Sequence, residues 1–164
     1  MVNLFAYFFI SLISLIALSA IVTVLISQKI KRSIPKFGKI TTLKDAEIHW
    51  YETGRGRPII MLHGLAGNLR NFTYALTDKL NQDFRVISID RAGCGWSKRS
   101  RSESATLHEQ ARIISEFIKK EKIEKPLIVG HSLGGAIALT LALEHKTKIS
   151  GLALICPATQ MIDD

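Results

Sequence analysis

The stretch Leu127–Gly135, LIVGHSLGG, decides how the rest of the chain is read. Leu127 to Val129 have the pattern of a strand buried on both faces, and residues 133–146, LGGAIALTLALEHK, are apolar nearly all round, as a helix enclosed by protein would be. Between them stands Gly130-His131-Ser132-Leu133-Gly134, a G-x-S-x-G whose serine falls on a strand-to-helix turn. So sharp a turn needs strained dihedrals at its apex, and the residues two before and two after must be small to avoid colliding with one another. Gly130 and Gly134 meet that need. The turn also puts Ser132 at a helix N-terminus, where unpaired N–H groups and the positive dipole end stabilise negative charge; the Leu133 N–H is the natural first donor. The bland alternative is a glycine-rich turn with a capping serine, which requires neither the preceding strand nor the following helix; both are present.

Working outward, residues 149–155, ISGLALI, form a further apolar run with the pattern of a buried strand. Upstream, Thr106 and Glu109 form a capping box, and Leu107, Ala111, Ile114 and Ile118 make an amphipathic stripe down to about Lys122. Residues 85–90, RVISID, and 58–62, PIIML, are strands, and residues 68–80 read as a helix with Phe72, Leu76 and Leu80 on one face. Residues 47–53 read as a strand paired with one near 38–42. The alternation of strands and helices predicts an α/β fold, a mostly parallel sheet with right-handed crossovers and helices on both faces.

Three motifs carry a family resemblance: His63-Gly64-Leu65-Ala66-Gly67, then DRAGCGWS at 90–97, then GHSLGG at 130–135. In order and spacing, over about residues 45–158, they resemble the alpha/beta-hydrolase superfamily. The resemblance implies a serine esterase or lipase type of enzyme with Ser132 as nucleophile. It implies that the loop of His63 and Gly64 supplies a second oxyanion donor, the Leu65 N–H, with His63 lining the pocket floor by hydrogen bonding rather than acting as base. It implies a structural role for Asp90, whose carboxylate satisfies backbone donors, and a His131 that points away from the nucleophile. Related dehalogenases and epoxide hydrolases carry an aspartate at the nucleophile position, so Ser132 argues against those activities. The expected reaction is attack by Ser132 on an ester carbonyl, an acyl-enzyme, and hydrolysis by water.

The family order places acid and histidine after the serine. Downstream of Ser132 the sequence has a single histidine, His145, and along a helix it would lie about 20 Å away, so it is a C-terminal helix residue and not the base. Asp163 and Asp164 are poor candidates for the acid. The expectation is of a domain incomplete at its C-terminus, with an apolar sheet edge, low stability and weak or absent turnover. Two rival readings stay open: a non-catalytic tethered module of the same fold, and another chemistry of that fold such as carbon–carbon bond hydrolysis.

Residues 4–27 contain no charged residue, and as a helix of about 36 Å they are long enough to cross a bilayer. They are followed by Lys29, Lys31, Arg32, Lys36 and Lys39 without an acid. The expected organisation is a transmembrane anchor at 1–28, a basic juxtamembrane linker at 29–39 and a hydrolase domain at 40–164; a cleaved signal is the rival, disfavoured because the chain starts without a basic residue. Basic flanks stay cytoplasmic, which predicts a single-pass membrane protein with its domain on the cytoplasmic side and lipid headgroups at the linker. An anchored active site suits lipid esters such as monoacylglycerols, beside small-molecule esters.

The linker holds five of the eight excess positive charges, so the basic balance calls for no nucleic acid partner. The 47% hydrophobic content excludes a disordered or collagenous chain. Cys94 and Cys156, far apart and in no C-x-x-C pair, read as buried or half-buried free thiols; no metal site and no cofactor is expected. Oligomeric state is left open.

Overall fold

A computed structural model describes residues 4–34, 37–100, 102, 104–145 and 148–159. The chain divides into two compact units, Met1–Phe37 and Gly38–Asp164.

The first unit is one helix, α1 (Leu4–Ser33), of which Leu4–Ile30 is long and apolar enough to cross a membrane. Two of its hydroxyls bond back along the helix: Ser19 Oγ donates to Ile16 O at 2.8 Å and Thr23 Oγ1 to Ser19 O at 2.8 Å. Such back-bonding lets a hydroxyl lie against an apolar surround without an open donor. The helix does not stop near residue 28 but runs through the first basic residues, closing with Ile34 N–H on Ile30 O at 3.0 Å. Lys29 and Arg32 are good helix formers, and the stop signal in the sequence is Pro35, which disfavours helix at the residue before it. Lys36 of the basic run lies outside the described residues, as do Met1 to Asn3.

The second unit is built on a seven-stranded sheet: β1 (Lys39–Thr42), β2 (Ala46–Thr53), β3 (Arg57–Leu62), β4 (Phe84–Ile89), β5 (Lys98–Arg99), β6 (Leu127–His131) and β7 (Gly151–Ile155). The strand order is β1-β2-β4-β3-β6-β7, with β5 a short addition to β2 that the sequence does not announce. β1 and β2 are antiparallel to each other and β2 is antiparallel to β4, while β4, β3, β6 and β7 run parallel.

Each parallel strand feeds both layers of core by alternation. Ile60, Leu62, Ile87, Ile89 and Ile128 face α4 (Leu107–Lys120) and α5 (Leu133–Glu144), whose Ala111, Ile114, Phe117, Ile137 and Leu141 fill that layer. Ile59, Met61, Val86 and Val129 face the other side, where Phe72, Leu76 and Leu80 cover them. Trp50 meets Phe117 edge-on, ring centroids 5.5 Å apart, tying β2 to α4. Thr106 caps α4 by accepting from the Glu109 N–H at 3.3 Å.

Three expectations change. The helix expected over 68–80 is two single turns, α2 (Arg70–Thr73) and α3 (Thr77–Leu80). The expected apolar face is kept, but Leu69 and Leu76 stand at the N-cap positions without a side-chain acceptor, and Thr73 and Thr77 are poor helix formers, so nothing enforces one continuous ladder. α5 is enclosed only through its first turns; Leu143 is exposed. Lys146, expected at its C-terminal end, falls outside the described residues. β7 is shorter than the apolar run suggests, and Leu154 and Ile155 are exposed on it.

Register sets the position of the site. Leu62 pairs with Ile89 on one side and Gly130 on the other, so β3, β4 and β6 end level, and the segments that follow them emerge side by side.

Candidate active site

Ser132 stands at φ 51°, ψ −121°, a backbone conformation that L-residues adopt only where surrounding structure imposes it. The surroundings are the glycines. A Cβ on Gly130 would lie 2.5 Å from Gly134 O and 2.6 Å from Gly135 Cα, so the strand and the helix it feeds are in backbone contact. Gly134 is small for a different reason from the one the motif suggests: a Cβ there would lie 2.1 Å from Leu62 O, so it seats α5 on the end of β3. Gly135, which sequence reasoning passed over, is pressed against Pro157, with 2.7 Å from its ideal Cβ to Pro157 Cβ. The Ser132 amide donates to Ile155 O at 3.0 Å, and the Ser132 carbonyl accepts from Gly135 N–H at 2.8 Å and Ala158 N–H at 3.0 Å. The chain leaving β7 thus holds the serine peptide from both sides.

The Ser132 side chain is half-buried beside the segment that leaves β3. A Cβ on Gly64 would lie 3.1 Å from Ser132 Cβ and 3.2 Å from His131 Nδ1, so this loop and the serine turn touch. Leu133 opens α5, and Leu65 follows Gly64; among the described residues neither N–H donates to a protein acceptor. Two backbone donors without a protein acceptor therefore belong to the residue after Ser132 and to the loop that touches it, the kind of group an oxyanion site requires.

His63 is fully buried, with Nδ1–H donating to Gly64 O at 2.9 Å and Nε2 accepting from the Arg91 N–H at 3.1 Å. Burial, reinforced by the Arg91 charge, pushes its pKa down to about 4, so the ring is neutral at pH 7 and both its nitrogens are occupied. It anchors the loop and is not poised to take a proton. Asp90 gives one carboxylate oxygen to the Leu69 N–H at 2.7 Å and the other to the Trp96 N–H at 2.9 Å and to His49 Nδ1 at 2.7 Å. It organises the turn after β4, which Gly95 permits by approaching where a Cβ would strike the carboxylate.

Sequence reasoning missed Arg91 and His49. Arg91 is 4% exposed, and its Nε donates to His63 O at 2.9 Å and its Nη2 to Gly64 O at 3.0 Å. Its partners are main-chain carbonyls, which leave no mark in a sequence. His49 is buried on β2, where strand alternation gives no hint of a partner on another strand.

His131 is exposed on the turn. His145 sits at the far end of α5, its N–H on Leu141 O at 3.2 Å. Among the described residues no hydrogen bond reaches Ser132 Oγ, and Asp163 and Asp164 lie outside them. Cys94 is half-buried as expected, whereas Cys156 is exposed, because it follows the last described strand at the open edge of the sheet. Among the described residues no three His, Cys, Asp or Glu side chains gather as a metal site would require.

A parallel sheet with helices on both faces and a strained serine on the turn between strand and helix are the features of the nucleophile-elbow folds. The chain belongs to the alpha/beta hydrolase fold family, which it matches over residues 57–164. It is 33% identical over 132 residues to 2-hydroxy-6-oxo-6-phenylhexa-2,4-dienoate hydrolase of Comamonas testosteroni, covering 74% of this chain and 44% of that one. It is 30% identical over 116 residues to monoacylglycerol lipase abhd6-A of Xenopus laevis, covering 66% of this chain and 34% of that one. The esterase of Exiguobacterium antarcticum superposes with a TM-score of 0.67 at 30% identity, over 76% of this chain and 48% of the esterase. The chain spans less than half the length of each of these proteins.

Proposed function

We propose that this chain carries the nucleophile and oxyanion donors of a membrane-anchored serine hydrolase that cleaves carboxylic esters, monoacylglycerol-like lipid esters among them. The observation that carries the reading is Ser132, held at positive φ at the start of α5, with the loop of Gly64 against it and the N–H groups of Leu133 and Leu65 without protein acceptors. Ser132 Oγ attacks the ester carbonyl while its proton passes to a base, and the carbonyl oxygen, now negative, accepts from the two amides. Collapse of the tetrahedral intermediate expels the alcohol, which takes the proton, and water then cleaves the acyl-serine. Base and acid are assigned to groups outside the described residues. The esterase and lipase relatives support the ester class, α1 supports an anchor at a bilayer, and the basic residues that follow the apolar run support a cytoplasmic domain.

The test is fluorophosphonate labelling of membranes that contain the native protein, beside membranes carrying Ser132→Ala. A label on Ser132 that the variant loses is expected, together with retention of the intact N-terminus in the membrane after alkaline washing. Hydrolysis of bilayer monoacylglycerol in preference to a short soluble ester is expected of the same membranes; the reverse preference removes the lipid substrate from the proposal. A second reading, a non-catalytic tethered module, is favoured by the lack of a base at Ser132 among the described residues, and failure of Ser132 to label supports it.

A further inference from the structure

Gly64 O is an unusually crowded acceptor. It takes Arg91 Nη2 at 3.0 Å, His63 Nδ1 at 2.9 Å and the Gly67 N–H at 3.3 Å, while Arg91 Nε holds the preceding carbonyl, His63 O, at 2.9 Å. In a trans peptide the carbonyl of one residue and the N–H of the next point to opposite sides. Pinning Gly64 O onto Arg91 therefore turns the Leu65 N–H away from Arg91, in a loop whose Gly64 lies against Ser132.

The identity of the residue matters as well as its reach. Arg91 is buried, yet among the described residues its guanidinium hydrogen-bonds carbonyls and no carboxylate; the neighbouring Asp90 spends its oxygens on Leu69, Trp96 and His49. A guanidinium buried at this cost to make hydrogen bonds to two successive carbonyls holds the backbone there more firmly than a neutral donor would. Donors on Gly64 O also polarise the Gly64–Leu65 peptide and strengthen its N–H as a donor.

We propose that Arg91 is a positioning residue for the oxyanion hole: its guanidinium fork fixes the Gly64–Leu65 peptide and brings a positive charge to the carbonyl side of it. The inference rests on the serine-hydrolase reading for its catalytic consequence, while the hold on the peptide is a matter of structure alone.

The sequence offers a direct probe, since it contains two Gly–Leu peptides, Gly64–Leu65 and Gly151–Leu152. Full chain labelled with 13C′-glycine and 15N-leucine in detergent micelles gives one signal from each, the second serving as an internal control for the fold. In Arg91→Ala the Gly64 carbonyl is expected to move upfield and the Leu65 amide to broaden, with the control unmoved. Arg91→Lys keeps the charge but not the fork, and should fall between; it carries the comparison if Arg91→Ala loses the control signal. Fluorophosphonate labelling of Ser132 in native membranes should slow about tenfold to hundredfold in Arg91→Ala and be restored in part by added guanidinium, but not by urea, its neutral counterpart. A Gly64–Leu65 signal that ignores the substitution overturns the hold on the peptide, whether or not Ser132 labels. A shifted signal with an unchanged labelling rate overturns the catalytic role. Absence of labelling in the wild type refutes the nucleophile reading and with it the catalytic role, and leaves the hold on the peptide to be decided by the carbonyl.

Discussion

Replacing Ser132 by glycine should make the protein more stable than replacing it by alanine, although both changes remove the same hydroxyl. At φ 51°, ψ −121° any residue with a Cβ is strained, by about 1–3 kcal/mol, and alanine inherits the whole of that strain. Glycine escapes it, at an entropic disadvantage of about 0.5–1 kcal/mol from its freer unfolded chain. The net expectation is that Ser132→Gly exceeds Ser132→Ala by about 1–2 kcal/mol, or about 3–8 °C in melting temperature for a domain of this size. Neither variant creates a steric problem, because the serine side chain is half-buried against Gly64 and no hydrogen bond to its Oγ is lost among the described residues. Urea titration of both variants, followed by the Trp50 and Trp96 fluorescence, supplies the comparison, with equal slopes required for a valid reading. Equal stability, or an alanine variant more stable than the glycine one, would refute the argument that the turn stores strain at its nucleophile.

Gly134→Ala should be destabilised by about 3 kcal/mol or more, since its Cβ would sit 2.1 Å from Leu62 O and neither backbone can yield, whereas Gly151→Ala, with only Leu127 Cδ1 at 3.5 Å, should stay near wild type; thermal melts of the pair check this. Stability should fall as pH drops from 6.5 toward 4, because the unfolded chain protonates His63 over that window while the folded chain, with its pKa at about 4, does not; the loss attributable to this group is about 3 kcal/mol, and His63→Gln should flatten that part of the pH profile. Thr106→Ala, by removing the acceptor for the Glu109 N–H, should lower stability by about 1 kcal/mol in the same melts without altering the labelling of Ser132.

The elbow was legible in the sequence because steric exclusion writes itself directly into residue type: Gly130 and Gly134 stand where no Cβ fits. The parallel strands were legible for a related reason, since burial on both faces leaves unbroken apolar runs such as Ile59 to Leu62. What escaped reading is whatever depends on main-chain partners or distant chain. Arg91 binds carbonyls that every residue has, and Gly135 is constrained by Pro157 across the end of the sheet. The break between α2 and α3 was hidden because Phe72, Leu76 and Leu80 keep helical spacing even when the ladder joining them is interrupted. The extension of α1 to Ser33 carries no apolar signal, since the lysine and arginine that continue it propagate a helix without marking it.

The hold that Ile155 and Ala158 exert on the Ser132 peptide also has a meaning in time. Chains are synthesised from the N-terminus, and the strand and helix that flank the serine can form while the residues beyond them are still unmade. The apex between them has neither its amide acceptor, Ile155 O, nor the Ala158 N–H on its carbonyl until β7 has joined the sheet beside β6. Before that moment the Ser132 peptide lacks two of the hydrogen bonds that fix it in the finished fold. The geometry of the Ser132 turn is in this sense completed late in assembly, by chain made after the strand and helix it joins.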